Sequence, residues 1–348
     1  IGASEPLQIV CGAPNVTVGM KAPVATVGAI LPSDNGAGFE IKNGNLRGVD
    51  SNGMLCGASE IDLTDSIDGL LELPADAPIG MDIREYLGLD NQILDISITP
   101  NRGDCFSVRG IAREISVIND LPMQQPEIPA NVAATDNSAT PAVTVSAVEA
   151  CPRYLLQSIS NIDRSIDTPK WMQDALVQSG LRSHNFLVDV TNYVLMELGQ
   201  PLHAFDADTI VGDIVVRLAQ PTETIILLNE QTITLTGDEL VIADDKGALA
   251  LAGIMGGQRS SVTDSTTNIV LESAFFNQLA IAARARRFGL HTDASQRFER
   301  GVDFELPELA LARACDLITS VTGGQAGQIV KAESTENLPA RAPIMLPI

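Results

Sequence analysis

A proline-rich stretch without any hydrophobic period divides the chain and constrains its fold more than any other feature. Residues 121–141 contain four prolines among Ala, Asn, Thr and Ser. Proline fixes its φ angle and lacks a backbone N–H, so a segment of this kind supports neither a long helix nor a central strand. We predict a linker over residues 126–141, with separately folded parts on both sides. The length of 348 residues also exceeds what a single hydrophobic core usually supports.

Short β-branched runs and many glycines characterise the chain from residue 7 to about residue 63. Runs such as residues 8–11 and 25–28 are separated by prolines and Asn-Gly pairs, which form turns. This pattern is typical of a small β-barrel, and we assign it to residues 1–75.

Residues 76–125 combine one predicted strand with one predicted helix, which indicates a small α/β unit. The alternation over residues 94–98 predicts a strand that ends at Pro100. A helix with one apolar stripe is predicted from about Asp104 onward by the spacing of Phe106, Val108, Ile111, Ile115 and Ile118.

The chain after the linker mixes strands with helices over residues 142–335, which predicts an α+β domain. One helix is expected to carry Pro169 in its first turn and to turn Trp171 inward. Residues 336–348 are predicted to begin a further linker. Two more helices are predicted near residues 277–288 and 307–321, and strands at residues 214–218, 224–228, 232–235, 240–243 and 269–272.

Acidic residues outnumber basic residues by 44 to 22, which gives a formal charge of -22. This sign is opposite to that of a typical nucleic-acid-binding domain, so any RNA contact has to use a local basic patch. A solvated helix face is the alternative interpretation of the one stretch that is rich in arginine. The candidates for phosphate contact in that stretch are Arg284, Arg286, Arg287, Arg297 and Arg300.

The five cysteines are scattered and never have C-x-x-C spacing, which argues against a disulfide framework and against a zinc site. No apolar run approaches the roughly 20 residues of a membrane span. No charged-then-apolar signal opens the chain. We therefore expect a cytoplasmic protein with reduced thiols that contacts no membrane and holds no metal ion.

Three ordered segments carry recognisable motifs. They are residues 9–15 (IVCGAPN) with 51–56 (SNGMLC), residues 98–114 beginning ITPNRGDC, and residues 189–193 (DVTNY), 199–206 (GQPLHAFD), 253–257 (GIMGG) and 289–301. The first segment resembles the OB-type tRNA-binding module that is attached to several synthetases. The order and spacing of all three segments resemble the β subunit of bacterial phenylalanyl-tRNA synthetases, and the third resembles the editing domain of that subunit.

The resemblance implies a multidomain α+β fragment with a partial OB-like β-barrel, the small α/β unit and a larger mixed α+β editing domain over residues 142–335. The family's module begins with a strand and a His-Pro turn that would precede Ile1, and further domains would follow Ile348. The implied partners are the α subunit of an α2β2 heterotetramer, tRNA(Phe) and tyrosine as the editing ligand, without DNA. Because the chain has no class II arginine motif and no glycine-rich ATP motif, the resemblance assigns activation, with ATP and Mg²⁺, to the α subunit of the holoenzyme. No cofactor is expected in the fragment itself.

Glu272 is the residue on which the editing role depends. An apolar phenylalanine site rejects an isostere that only adds a hydroxyl by about 100-fold at most, so a second sieve that prefers tyrosine is useful. Such a sieve needs a buried acceptor that the tyrosine hydroxyl satisfies and phenylalanine leaves unpaired. Glu272 follows the apolar run 269–271, and the resemblance places the family's tyrosine-recognising Glu here. An exposed carboxylate at a strand end is the alternative.

His203 lies between polar flanks after Pro201, which suits a loop that lines a cavity. A neutral imidazole there would orient water or bind the terminal ribose, and we expect positioning rather than strong general-base catalysis. A structural histidine is the alternative. Gly256 is expected to keep a pocket wall open and to let the backbone approach the ligand.

The remaining predicted site residues follow from matches to the family. Thr292 offers a hydroxyl to the aminoacyl group and Ala294 supplies room, although Thr292 or Asp293 also suits a helix cap. Loops are expected to carry the donors and acceptors for the ribose and the amino group. The predicted catalytic residues are His203, Glu272 and Thr292, and the predicted substrate-binding residues are Arg182, Thr191, Asn192, Gly256 and Ala294.

Two functions stay open at this point. The chain is either a hydrolase of Tyr-tRNA or a non-catalytic scaffold that holds tRNA and the α subunit. The acidic balance weakens a role in RNA binding alone. A stand-alone sugar or nucleotide enzyme would need a phosphate loop or a metal cluster, and the sequence contains no motif for either.

Overall fold

The computed structural model describes residues 1–33, 38–63, 69–129, 134, 140–341 and 345. Most of the predicted linker, residues 130–133 and 135–139, lies outside the described residues, as do residues 342–344 and 346–348 of the second predicted linker. The chain forms two compact units, Ile1–Gln92 and Ile93–Ile348.

The first unit contains short strands and one short helix, with a small core of Ala25, Ile41 and Cys56. Within its described residues the strands form three antiparallel pairs, β1 with β6, β2 with β3, and β4 with β5, and no closed barrel. These elements are β1 (Val24–Thr26), β2 (Ile30–Leu31), β3 (Phe39–Glu40), β4 (Gly44–Leu46), β5 (Val49–Ser51), β6 (Gly53–Leu55) and α1 (Ile83–Leu87).

The second unit contains the larger sheets and the longer helices. Its helices are α2 (Val108–Asn119), α3 (Lys170–Gln178), α4 (Phe186–Leu198), α5 (Gln278–Ile281), α6 (Arg284–Arg287), α7 (Asp293–Arg300) and α8 (Leu306–Thr322). Its strands are β7 (Val143–Val145), β8 (Arg153–Ser160), β9 (Leu202–Asp206), β10 (Ile214–Leu218), β11 (Thr224–Ile226), β12 (Thr232–Thr234), β13 (Leu240–Asp244), β14 (Gly247–Leu251), β15 (Met255–Gly256), β16 (Ile269–Phe275) and β17 (Gln325–Glu333).

A four-stranded antiparallel sheet, in the order β17-β8-β16-β9, lies at the centre of the second unit. Successive side chains of a strand point to opposite faces, so this sheet contributes to two cores. Leu155 and Leu271 belong to a core that they share with helices α3, α4 and α8. Tyr154 and Val270 belong to the other core, on the opposite face.

That second core is closed by a five-stranded sheet in the order β15-β14-β13-β10-β7. The β7–β10 pair is parallel and the other pairs are antiparallel. The unit is therefore layered as helices, four-stranded sheet and five-stranded sheet. Among the described residues no helix is both long and apolar enough to cross a membrane.

The predicted class, a multidomain chain of mixed α and β structure, is confirmed. The helix predicted at residues 307–321 is Leu306–Thr322 and ends at Gly323, whose φ of 69° suits a left-handed cap. The predicted strand at residues 269–272 extends through Phe275, because β8 pairs with it along that whole length and β9 pairs with it as far as Ser273.

Three local predictions are wrong. Residues 94–98 form no strand, since they pair with no neighbouring strand and leave Leu94 80% exposed. The helix predicted at residues 277–288 is split into α5 and α6, because Ala283 has a φ of 63°. Trp171 is half exposed rather than inward, and its ring packs edge-on against Tyr193 with centroids 5.2 Å apart.

Candidate functional site

Two of the predicted catalytic residues are direct neighbours in the four-stranded sheet. His203 in β9 is paired with Glu272 in β16. Directly opposite residues in an antiparallel pair project to the same face, with their Cβ atoms about 5 Å apart. That face is the one that packs toward the five-stranded sheet, since the alternate residues Phe205 and Val270 belong to the core between the sheets. Sheet pairing thus joins two residues that are far apart in the sequence.

Glu272 is a buried carboxyl in the middle of a strand, not an exposed group at a strand end. It is 6% exposed, and its Oε2 atom has no hydrogen-bond partner among the described residues. Burial raises the pKa of Glu272 to about 8, and the nearby Tyr154 hydroxyl offsets part of that effect. The carboxyl is therefore mostly protonated at neutral pH, and it can both donate and accept a hydrogen bond.

His203 belongs to strand β9 rather than to a loop, because residues 202–206 pair with β16. Its Nε2 atom is buried and has no hydrogen-bond partner among the described residues. Burial lowers the pKa of His203 to about 4, so the imidazole is neutral at pH 7. The ring packs edge-on against Phe205, with centroids 4.5 Å apart, which fixes its plane.

Gly256 makes room for that imidazole. A Cβ atom at this position would lie 2.8 Å from Nε2 of His203 and 3.2 Å from Cδ1 of Leu228. The backbone of Gly256 is held on both sides, by its pairing with Ala250 and by its carbonyl, which accepts from the Leu228 N–H at 3.0 Å. Glycine is thus required here for space rather than for an unusual φ angle.

Helix α7 begins beside the same turn. The Thr292 hydroxyl donates to the Ile254 carbonyl at 2.9 Å and accepts from the Ser295 N–H at 3.1 Å. Thr292 is thus the N-cap of α7, and with Ser295 it forms a capping box. Because its single proton is already donated, Thr292 can offer a ligand only an acceptor. Ala294, two residues after this N-cap, is half-buried against the core between the sheets.

The other three predicted residues lie elsewhere. Arg182 is an exposed loop residue, whereas Thr191 and Asn192 belong to helix α4 and not to a loop. The buried side chains of α4 pack on the opposite face of the four-stranded sheet. The Thr191 hydroxyl donates to the Val188 carbonyl at 2.8 Å. Within the described part of the chain no hydrogen bond joins these three residues to His203 or Glu272.

Tyr154 is a polar neighbour of Glu272 that the sequence analysis missed. It lies in β8 opposite Ala274, on the same face as Glu272, and it is completely buried. The signal for it is weak, because a single tyrosine in a strand of mixed apolar and polar residues is ordinary. Only the pairing of β8 with β16 brings the phenol next to the carboxyl.

The arginine-rich stretch is largely neutralised inside the protein. Arg287 contacts Asp238 at 2.6 Å and Glu239 at 2.9 Å. Arg297 is buried and contacts Asp293 at 2.9 Å. Arg286 has the most exposed side chain of the paired arginines here, at 70%. The predicted phosphate contact therefore stays a prediction that rests mainly on Arg286.

A cleft of about 850 Å³ lies away from these residues. Four of its charged lining residues form ion pairs with one another, Arg217 with Glu223 at 2.8 Å and Arg259 with Asp244 at 2.7 Å. None of the eight predicted site residues lines this cleft.

Comparison with known proteins gives the family. The B3/4 domain model matches residues 150–323, which is half of the chain, and a tRNA binding domain model matches residues 1–82. The phenylalanine–tRNA ligase β subunit of Psychrobacter arcticus is 90% identical over 348 residues, which cover 100% of this chain and 43% of that protein. The chain belongs to the phenylalanine–tRNA ligase β-subunit family. The family resemblance of the sequence motifs is thereby confirmed.

Other members of the phenylalanine–tRNA ligase β-subunit family match the chain over nearly its whole length. The subunit of Acinetobacter baylyi is 62% identical over 346 residues, which cover 99% of this chain and 43% of that protein. The chain thus spans 43% of the length of these curated relatives. A solved N-terminal fragment of the phenylalanyl-tRNA synthetase β subunit from Pyrococcus horikoshii is 16% identical, covers 73% of this chain and 75% of that chain, and has a TM-score of 0.41. Within this chain, all eight predicted site residues fall inside the B3/4 match.

Proposed function

We propose that the face shared by His203 and Glu272 hydrolyses the ester bond of Tyr-tRNA(Phe). The observation that carries this proposal is the buried Glu272 carboxyl, whose Oε2 atom has no partner among the described residues. A buried polar group without a partner costs free energy, so a ligand that supplies one is selected. The phenol of a tyrosyl group supplies a hydroxyl, whereas phenylalanine leaves the carboxyl unpaired.

Neutral His203 complements this recognition. Its Nε2 atom is a free acceptor or donor one strand away from Glu272, and Gly256 holds space against the imidazole. In the proposed reaction His203 orients a water molecule or the terminal ribose, and the water attacks the ester carbonyl. An aminoacyl ester is already reactive, so alignment and stabilisation of charge suffice for its hydrolysis. Thr292 and Ala294 shape the rim from the start of α7.

The family sets the wider assignment that we propose. The chain acts as part of the β subunit of a cytoplasmic phenylalanine–tRNA ligase, with tRNA(Phe) as substrate and an α subunit as partner in an α2β2 heterotetramer. Amino-acid activation with ATP and Mg²⁺ belongs to the α subunit of that holoenzyme. The match of residues 1–82 to a tRNA binding domain supports the RNA partner.

The test compares deacylation of Tyr-tRNA(Phe) and Phe-tRNA(Phe) by the full-length assembled ligase. Glu272→Ala is expected to lower the rate for Tyr-tRNA by about 10- to 100-fold, the value of one hydrogen bond to a buried polar group. Ala294→Trp is expected to block the reaction, because the larger side chain fills the space for the aminoacyl group beside His203 and Glu272. Ser273→Ala is the matched control, because Ser273 is buried in the same strand and points to the opposite face.

Wild-type rates in both Glu272→Ala and Ala294→Trp would refute this site. A wild-type ligase that does not deacylate Tyr-tRNA would instead favour the scaffold role, in which the chain holds tRNA and the α subunit without catalysis.

A further inference from the structure

Tyr154 presents a second buried polar atom beside Glu272. The residue is 0% exposed, and its hydroxyl has no hydrogen-bond partner among the described residues. Buried tyrosine hydroxyls usually find a partner, because the loss of hydration is otherwise uncompensated. A core position that needed only an aromatic ring would be better filled by phenylalanine, so the hydroxyl calls for another explanation.

The position of Tyr154 relates its hydroxyl to Glu272. Tyr154 is paired with Ala274, two residues beyond Glu272 on the same strand face, and Glu272 is paired with Leu156. Such diagonal neighbours lie about 7 to 8 Å apart, within reach of an aromatic side chain. The Glu272 carboxyl raises the pKa of Tyr154, in addition to the larger effect of burial. The two groups therefore interact across the strand pair.

Among the described residues, three buried polar atoms without hydrogen-bond partners lie on this face of the sheet. They are the Tyr154 hydroxyl, Glu272 Oε2 and His203 Nε2, from the adjacent strands β8, β16 and β9. The hydroxyl of Ser273 is also buried and has no hydrogen-bond partner in the described part of the chain, but it belongs to the opposite face. One face thus carries an incomplete hydrogen-bond network, and a ligand with one hydroxyl would complete it.

We propose that Tyr154 is a specificity-determining positioning residue, whose hydroxyl binds one oxygen of the Glu272 carboxyl while the phenol of a tyrosyl substrate binds the other. This inference rests on the proposed editing function and extends it. The carboxyl is then held between two phenols, one from the protein and one from the substrate. Hydrogen bonds in such a chain strengthen one another in a buried site. A phenylalanyl group has no hydroxyl and leaves this row of hydrogen bonds incomplete. Tyr154 therefore increases the preference for tyrosine without contacting the ester.

The experiment uses Tyr154→Phe in the full-length assembled ligase, with kcat/KM measured for Tyr-tRNA(Phe) and Phe-tRNA(Phe) across pH. The ring is retained and only the unpartnered hydroxyl is removed, so the variant is expected to fold. The preference for Tyr-tRNA is expected to fall about tenfold, the value of a modest hydrogen bond. The Tyr154 hydroxyl lowers the pKa of Glu272, so its removal is expected to raise that pKa. The alkaline pH at which the preference for Tyr-tRNA declines is therefore expected to be higher in Tyr154→Phe.

Tyr193→Phe is the matched control. Its hydroxyl bonds Glu197 at 3.3 Å, and its ring packs in the helical layer. Tyr193→Phe is expected to change neither the preference nor the pH profile. In a Glu272→Ala background, which removes both carboxyl oxygens, Tyr154→Phe is expected to have no further effect on the preference, since it acts through the carboxyl.

The outcomes separate the two proposals. If the wild-type ligase hydrolyses Tyr-tRNA and Tyr154→Phe keeps the wild-type preference and pH profile, the role of Tyr154 is overturned and the editing function stands. If the wild-type ligase does not hydrolyse Tyr-tRNA, both are overturned. Should Tyr154→Phe fail to fold in a thermal denaturation check, replacement of tyrosine by the more acidic 3-fluorotyrosine takes its place. An unchanged preference and pH profile would then overturn the role of Tyr154.

Discussion

Burial of a single carboxyl group couples the stability of this protein to pH. The pKa of Glu272 is raised from 4.5 to about 8, so the folded state keeps a proton that the unfolded state loses. The carboxyl therefore costs no stability below about pH 4.5. Its cost grows as pH rises toward about 8 and is constant above that value.

Glu272→Gln is expected to remove this pH dependence. The variant should match the wild type near pH 4 and be more stable at pH 8 by up to about 4 to 5 kcal/mol, since a tenfold change in proton affinity is worth about 1.4 kcal/mol. Urea denaturation at both pH values measures the difference, with Ser273→Ala as the control. A stability difference that is equal at pH 4 and pH 8 would contradict the raised pKa.

Gly256→Ala tests the space beside His203. The added methyl group would overlap the imidazole, which has to shift, and we expect a loss of stability of about 1 to 3 kcal/mol. Hydrolysis of Tyr-tRNA should fall because His203 is displaced. Gly44→Ala is the control, since no atom lies within 4 Å of the Cβ that it would add. Equal activity of Gly256→Ala and wild type would show that His203 does not need its present position.

At the scale of elements, the start of α7 connects a helix to the turn before β15. The Thr292 hydroxyl caps α7 and donates to the Ile254 carbonyl. The sequence already indicated this capping role as an alternative, because a Thr before Asp and Ala is a common helix start. The contact with Ile254 was not visible there, since it joins residues 38 positions apart.

Thr292→Ala is expected to destabilise the protein by about 1 to 2 kcal/mol, because it removes both the cap and the tie to Ile254. Thr292→Ser retains the hydroxyl and should recover most of that loss. Thermal denaturation measures both variants. If Thr292→Ala melts at the wild-type temperature, the cap contributes nothing to stability.

At the scale of the whole molecule, the described hydrophobic cores are divided unevenly between the two units. Residues from 93 onward contain both large cores, whereas the first unit has the small core of Ala25, Ile41 and Cys56. Stability depends on the apolar area that is buried, so the second unit is expected to dominate unfolding.

A protein that begins at Ile93 is therefore expected to keep a cooperative thermal transition near that of the chain with both units. Residues 1–92 alone are expected to unfold at lower temperature and with a broader transition. Calorimetry of the two pieces tests this prediction. A piece from Ile93 onward that has no cooperative transition would show that its cores need the first unit.

The sequence by itself determined the family, the mixed α and β class, and those elements whose signals are local. Helix α8 follows from its apolar period and terminal glycines, and the local residues predict a helix cap at Thr292 or Asp293, of which the structure has Thr292. Interactions between residues close in the sequence decide such features, so the local sequence predicts them. The strand predicted at residues 94–98 is absent because a strand also needs a partner strand, and a local alternating pattern does not supply one.

Only the tertiary structure decided how the candidate site is assembled. His203, Glu272 and Tyr154 come together through the strand order β8-β16-β9, and no local pattern encodes that order or its register. The same pairing turns Glu272 from a possible exposed group at a strand end into a buried carboxyl with a raised pKa. Burial and strand register depend on residues distant in sequence, so the chemistry of this carboxyl is a property of the fold.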